Sequence, residues 1–252
     1  MYNATRGLSY RVHFEHDLRE LHCSSSALGI IDCLAAYPSV EGGHWACSGY
    51  KLVNSPSTEP KYRYDAKEAL STVAADIMLT IMRCLVLDRE DHYLAEHTPT
   101  LRFLSEFRTL LSAATGSLEE YAEFHTWYTA NQSLRLRGMT LETLVIEFLN
   151  AWHTPTNLPE VSRRRSFFSR FHDTTIKMRR RLAQLDNGHL AAAPSGARSG
   201  DLVCVLFGCS VPVVLRPCND GQKYSFVGEC YVDQCMNGEA AHSWKSRMFC
   251  II

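Results

Sequence analysis

The stretch GDLVCVLFGCSVPVVLRPCNDGQKYSFVGECYVDQCMNGE, Gly200 to Glu239, has the most readable plan in the chain. It holds three apolar runs, Asp201–Phe207, Val211–Arg216 and Tyr224–Val232. Gly208-Cys209-Ser210 and the segment Cys218 to Lys223, with Asn-Asp-Gly at its centre, separate them. Runs of this length, rich in Val, Leu, Phe and Tyr, read as consecutive antiparallel strands. In the first run Leu202, Cys204 and Leu206 alternate with Val203, Val205 and Phe207, so both faces are apolar. Such a strand needs cover on both sides. The tail MFCII, 248–252, is a candidate further strand.

Outward from this sheet, the text before it is helical. Asp65 with Glu68 reads as a capping box, and Val73, Ile77, Ile81 and Cys84/Leu85 recur at helical spacing. A second helix opens at Thr98-Pro99 and carries Leu101, Leu104, Phe107 and Leu110 to Gly116. A third starts at Ser117, with Tyr121, Phe124 or His125, and Tyr128 on its stripe. A fourth starts at Thr140 and buries Leu141, Leu144, Val145, Phe148 and Trp152. A fifth is expected from Glu160 to about Leu185, stopped by Asn187-Gly188. The fold class that follows is α+β: a layer of about five helices packed on a small C-terminal antiparallel sheet. The expected divisions are an irregular segment over 1–64, a helical region over 65–188 and a small β region over 189–252, forming one compact unit. Within the first, Phe14–Leu21 reads as a short helix and Ala27–Ala36 as an apolar run of either type.

Composition bounds the function. The 252 residues suffice for one large domain or two modest ones. Twenty-six basic against 27 acidic residues leave no global field to steer the chain toward nucleic acid or an anionic membrane. No apolar run approaches the roughly 20 residues that span a bilayer. The N-terminus lacks a hydrophobic signal core, so a cytoplasmic location is expected, with Asn3 and Asn131 unglycosylated. Ten cysteines without any Cys-x-x-Cys pair are expected to be reduced thiols in that compartment.

Chemistry-bearing motifs are sparse. His13, His16, His22 and Cys23 form the one dense group of metal-ligand types, and a helix would bring His13 and His16 onto one face. Without a fixed second pair of ligands they read as ordinary histidines, and no metal or other cofactor is expected. Arg163, Arg164, Arg165, Arg170, Lys177, Arg179, Arg180 and Arg181 read as a solvated basic face; base-stacking aromatics on that face are missing, which disfavours nucleic acid. Nucleophile elbows, phosphate loops and zinc-protease signatures are absent from the sequence.

Arg216 ends the run Val211–Leu215, so its guanidinium emerges beside an apolar sheet and needs a carboxylate. Asp201 and Glu229 are the two acids of that sheet, and register alone decides between them. Tyr231, beside Cys230 on the third run, completes the group of residues that would act as a structural clamp or hold a ligand.

The segment from Gly196 to Ala240 resembles the C-terminal region of fungal heterokaryon-incompatibility (HET) proteins. The matching positions are Gly200, Asp201, Pro212, Leu215, Arg216, Gly228, Glu229, Tyr231, Val232, Gly238 and Glu239. Residues 58–77 resemble the helix that follows the family's N-terminal module, and Arg179–Ala197 the approach to its terminal sheet. The HET module itself, tied in that family to non-self recognition and cell death, has no counterpart in these residues. The resemblance implies a stand-alone accessory region that binds or regulates a protein partner. The alternative is a small-molecule enzyme of fungal secondary metabolism, a cyclase or isomerase acting on a small apolar ligand.

Overall fold

The computed structural model describes residues 2–5, 12–16, 19–38, 45–46, 70–90, 98–113, 121–152, 165–218, 221–239 and 246–252. The Asp65/Glu68 capping box, the Ser117 helix start, Glu160, Arg163, Arg164 and Cys47 lie outside them. The chain divides into two units, residues 1–34 with 183–252, and residues 35–182.

The first unit is a sheet, and it corrects the expected architecture. In place of a small C-terminal sheet under helices there is one nine-stranded mixed sheet that recruits the N-terminus. Its strands begin with β1 (Val12–Glu15) and β2 (Glu20–Leu34), which form a hairpin where Phe14–Leu21 was expected to be helical. Short strands β3 (Tyr37–Pro38) and β4 (Trp45–Ala46) pair with each other, as do β5 (Arg135–Leu136) and β6 (Met139–Thr140). The large sheet continues with β7 (Arg180–Leu185), β8 (Leu190–Pro194), β9 (Leu202–Leu206), β10 (Val213–Pro217), β11 (Lys223–Glu229), β12 (Tyr231–Val232) and β13 (Ser246–Ile251).

The three apolar runs do make consecutive antiparallel strands, β9 to β10 to β11, and the MFCII tail is most of β13. What the sequence concealed is closure. β2 pairs β13, β13 pairs β11 in parallel, then β10 and β9 follow, and β9 pairs back onto β2. A second circuit leaves β2 through β7, β8 and β12, and β12 continues β11 across Cys230. β9 belongs to both circuits. Val203 and Val205 enter one core with Leu28, Ala183, Ala193 and Val214, whereas Cys204 and Leu206 enter the other with Cys23, Leu215, Phe249 and Ile251. The cover that a two-faced strand requires comes from the sheet itself.

One turn and one bulge make this possible. The fifth helix expected to reach Leu185 ends far earlier: α5 is Phe167–Phe171, a π-helical turn carries on to Lys177, and Arg180–Leu185 is strand. Asn187-Gly188 is therefore a hairpin turn between β7 and β8, with Gly188 at φ 87° and its N–H donating to Leu185 O at 2.8 Å. At Gly29 the ladder from β2 to β9 shifts register, and a Cβ there would lie 2.9 Å from Asp186 Oδ1. The glycine admits that close approach.

The second unit is helical: α1 (Leu70–Val86), α2 (Thr100–Ala113), α3 (Ala122–Asn131), α4 (Leu141–Ala151) and α5. The expected stripe of α1 is buried at Val73, Ile77, Ile81 and Leu85. Thr140 caps α4, its hydroxyl accepting from Thr143 N at 3.2 Å. Phe124, not His125, faces inward on α3. The basic face is not wholly solvated. Arg170 is 1% exposed and donates to Val86 O and Arg89 O at the C-terminal end of α1, where unsatisfied carbonyls attract a cation. Arg181, also buried, donates to Ala35 O at 2.7 Å and lies 4.9 Å from the Tyr37 ring centroid.

Candidate functional site

Polar chemistry in the sheet unit concentrates in two places. The first is the corner where β9 begins. Asp201 is 2% exposed and accepts from Arg216 twice, Nε to Oδ1 at 3.0 Å and one terminal nitrogen to Oδ2 at 2.8 Å. That nitrogen also donates to Gly196 O at 2.8 Å, and Arg198 N donates to Asp201 Oδ2 at 2.7 Å. This planar two-point contact is the strong form of an Arg–carboxylate pair. It ties the turn over 196–201 to β10, because Leu215 pairs with Leu202 and Arg216 follows.

Of the two acids open to Arg216, the structure pairs it with Asp201. Glu229 stands opposite Val213 across β10 and β11, exposed and remote from the corner in register. Tyr231 is buried and elsewhere: its hydroxyl donates to Asp233 Oδ1 at 2.9 Å, and its ring is 6.2 Å from that of Tyr2. Of the four residues named from sequence, Arg216 and Asp201 form an ion pair, Tyr231 pairs separately with Asp233, and Glu229 is a surface acid.

The second place was only half visible. On the β1–β2 hairpin His13 stands opposite His22, and His22 stands opposite Cys250 of β13, which pairs with Lys223 of β11. Four strands thereby present His13, His22, Cys250 and Lys223 as one row, with the Glu15–Glu20 pair in the next row. The two imidazoles stack with centroids 4.8 Å apart and planes 11° from parallel. Glu20 Oε1 accepts from Lys223 Nζ at 2.7 Å, and Cys250 Sγ donates to Glu20 Oε2 at 3.4 Å. The lysine, then the thiol, hold the Glu20 carboxyl below the usual carboxylate range. A helix was expected to bring His13 and His16 together; instead His13 meets His22 through strand pairing, while Cys23 turns into the core.

Cys23, Cys204, Cys209, Cys218, Cys235 and Cys250 are free thiols. Burial pushes Cys33 and Cys235 up to about 12 and raises Cys204 further, so none of these three is a thiolate nucleophile near neutral pH.

No helix among the described residues is long and apolar enough to cross a membrane. No curated protein and no solved structure matches the chain. Residues 134–252 match the family model of the Het-6 beta-barrel domain, in keeping with the resemblance of this part of the chain to the C-terminal region of HET-type proteins.

Proposed function

We propose that the chain works as a binding or regulatory module, a relative of the HET accessory region that engages a protein partner. The observation that carries this reading is strand β1. Among the described pairings it joins only β2, and all four of its residues are exposed, including Val12 and Phe14. An exposed edge with large apolar side chains is the surface to which a partner adds a strand. The rival reading, a cyclase or isomerase on a small apolar ligand, has less support: the buried acids Asp201 and Asp233 are engaged by Arg216 and Tyr231 and are not left to converge on a substrate. Arg216 and Asp201 serve in this proposal as a structural clamp. The same proposal takes the setting to be reducing and cytoplasmic.

The test compares tagged wild-type chain with Phe14→Lys in affinity capture from the native cell extract. A protein held stoichiometrically by the wild type and lost with Phe14→Lys, at an unchanged melting temperature, is the expected result. Equal retention by both, or a co-purifying small molecule found by native mass spectrometry instead of a protein, overturns the reading.

A further inference from the structure

We propose that the β1–β2 hairpin carries a divalent transition-metal site, of the zinc class, with His13, Glu15 and His22 as its three protein ligands, an open fourth position, and Glu20 as the acid beside His22. Four distances carry it. The Glu15 carboxylate spans the Nε2 atoms of the two stacked imidazoles, with Oε1 3.2 Å from His13 Nε2 and Oε2 3.6 Å from His22 Nε2. Glu20 Oε2 is 3.7 Å from the same His22 nitrogen, and the ligand-type atoms of His13, Glu15 and His22 all lie within 4.8 Å of one another. Ligands about 2.1 Å from a tetrahedral zinc ion stand roughly 3.4 Å apart, so the spacing is that of donors around a common centre.

A second observation separates this cluster from a row of surface charges. His22 Nε2 is buried and has no hydrogen-bond partner. Two carboxylates approach it, and both stop beyond hydrogen-bond distance. A buried imidazole nitrogen left in that state is costly, and an ion between it and the acids relieves the cost. The surroundings match the way ligands are oriented by outer partners. Lys223 anchors Glu20 through Oε1 and leaves Oε2 turned toward His22. His16 Nδ1, 3.5 Å from Glu20 Oε1, sits on that outer side as well. Cys250 donates to Glu20 and acts as an orienting group, not a ligand. Two imidazoles and carboxylates, without thiolate, suit zinc or cobalt over calcium or magnesium.

The experiment uses the full chain stripped with chelator. Zn²⁺ is titrated in competition with a chromophoric chelator, and Co²⁺ binding is followed by absorption. One ion per chain is expected, with the intense visible bands of tetrahedral Co²⁺ and no thiolate charge-transfer band. Loss of a ligand should exceed what an outer-shell change does, so His13→Gln and His22→Ala each weaken binding by more than about 100-fold, whereas Cys250→Ser, which keeps a hydroxyl donor for Glu20, shifts it by no more than about 10-fold. His13 is half exposed, so its variant keeps the test sound if His22→Ala fails to fold. The assignment is overturned if the wild type binds no more tightly than His13→Gln. It is equally overturned if Co²⁺ gives a thiolate band that Cys250→Ser abolishes, since the ion then belongs to Glu20, His22 and Cys250.

Discussion

The two units are filled in opposite ways. The helical unit packs large rings: Phe107 meets Phe124 edge-on at 6.1 Å, Phe124 meets Phe171 at 5.2 Å, and Trp127 meets Phe171 at 5.7 Å. The core lined by β2 and β7 to β10 instead holds no rings: Ala183, Ala191, Ala193, Val203, Val205 and Val214 pack with Leu28, Ile31 and Leu185. Geometry explains the difference. Helices stand about 8–10 Å apart axis to axis, and long side chains are needed to bridge short ones such as α5. A sheet that closes on itself brings its own strands face to face, and in this core aliphatic side chains fill the space between them without rings. The helical core is therefore sensitive to what is removed, and the sheet core to what is added.

The harshest test of the sheet is Val205→Asp. Val205 is fully buried on the strand common to both circuits, so the variant sets an unpaired charge where several kcal/mol of desolvation has no compensation. Soluble expression should collapse; a soluble variant with unchanged melting would show that β9 is not enclosed. The matching test of the helical unit is Phe171→Ala, which empties a fully buried ring site with four aromatic neighbours or more and should cost about 3–5 kcal/mol in urea unfolding. A cost near zero would mean that the rings are interchangeable filler.

Arg216→Met comes next. It leaves Asp201 buried without its cation, and the expected loss is about 3 kcal/mol, the low end for a broken buried pair. The low end applies because the Arg216 side chain is 31% exposed and Asp201 keeps the Arg198 N–H. Restoring stability with Asp201→Asn in the same chain would show that the orphaned charge caused the loss. Ala193→Leu then probes addition in place of removal. Ala193 has no exposed surface, and overpacking by that much costs about 1–3 kcal/mol. The same exchange at exposed Ala122 should be neutral, and a neutral result at Ala193 would mean that the circuit has slack.

How far the sequence could be read follows the same division. Helix signals are local, so Val73, Ile77 and Ile81 and the Thr140 cap could be read in place. Strand partners are distant: Cys23 pairs with Phe249 and Ala27 with Cys204, and nothing near Cys23 or Ala27 announces either. β7 was misread because Leu182, Ala183 and Leu185 extend the stripe of Phe167 and Phe171, and Asn-Gly suits a helix stop as well as a hairpin. β8 is LAAAP, a helix former by propensity that is strand because it pairs between β7 and β12, with Ala191 and Ala193 buried in the shared core. The Arg216 corner was legible in need but not in register. The His13–His22–Cys250 row needed a hairpin register and a long-range one, so sequence spacing alone gave the wrong geometry for the histidines.

The smallest effect belongs to the helical unit and sharpens the contrast in a different variable, pH. Glu106 of α2 accepts from Phe167 N at 2.5 Å, at the start of α5. Burial beside the ring cluster raises its pKa above the ordinary carboxylate value, against the opposing pull of that N–H and of Arg102. A carboxyl whose folded pKa is raised binds its proton more tightly in the folded state than in the unfolded one. Its contribution is therefore fully present below the unfolded pKa and is lost as pH rises through the folded pKa. Glu106→Gln keeps an acceptor for Phe167 N and removes the titration. Urea midpoints of wild type and variant, measured from mildly acidic to neutral pH, should diverge in the variant's favour as pH rises. Parallel curves would mean that the Phe167 N–H and Arg102 offset the burial of the charge, and that this helical core tolerates a carboxylate at its rim.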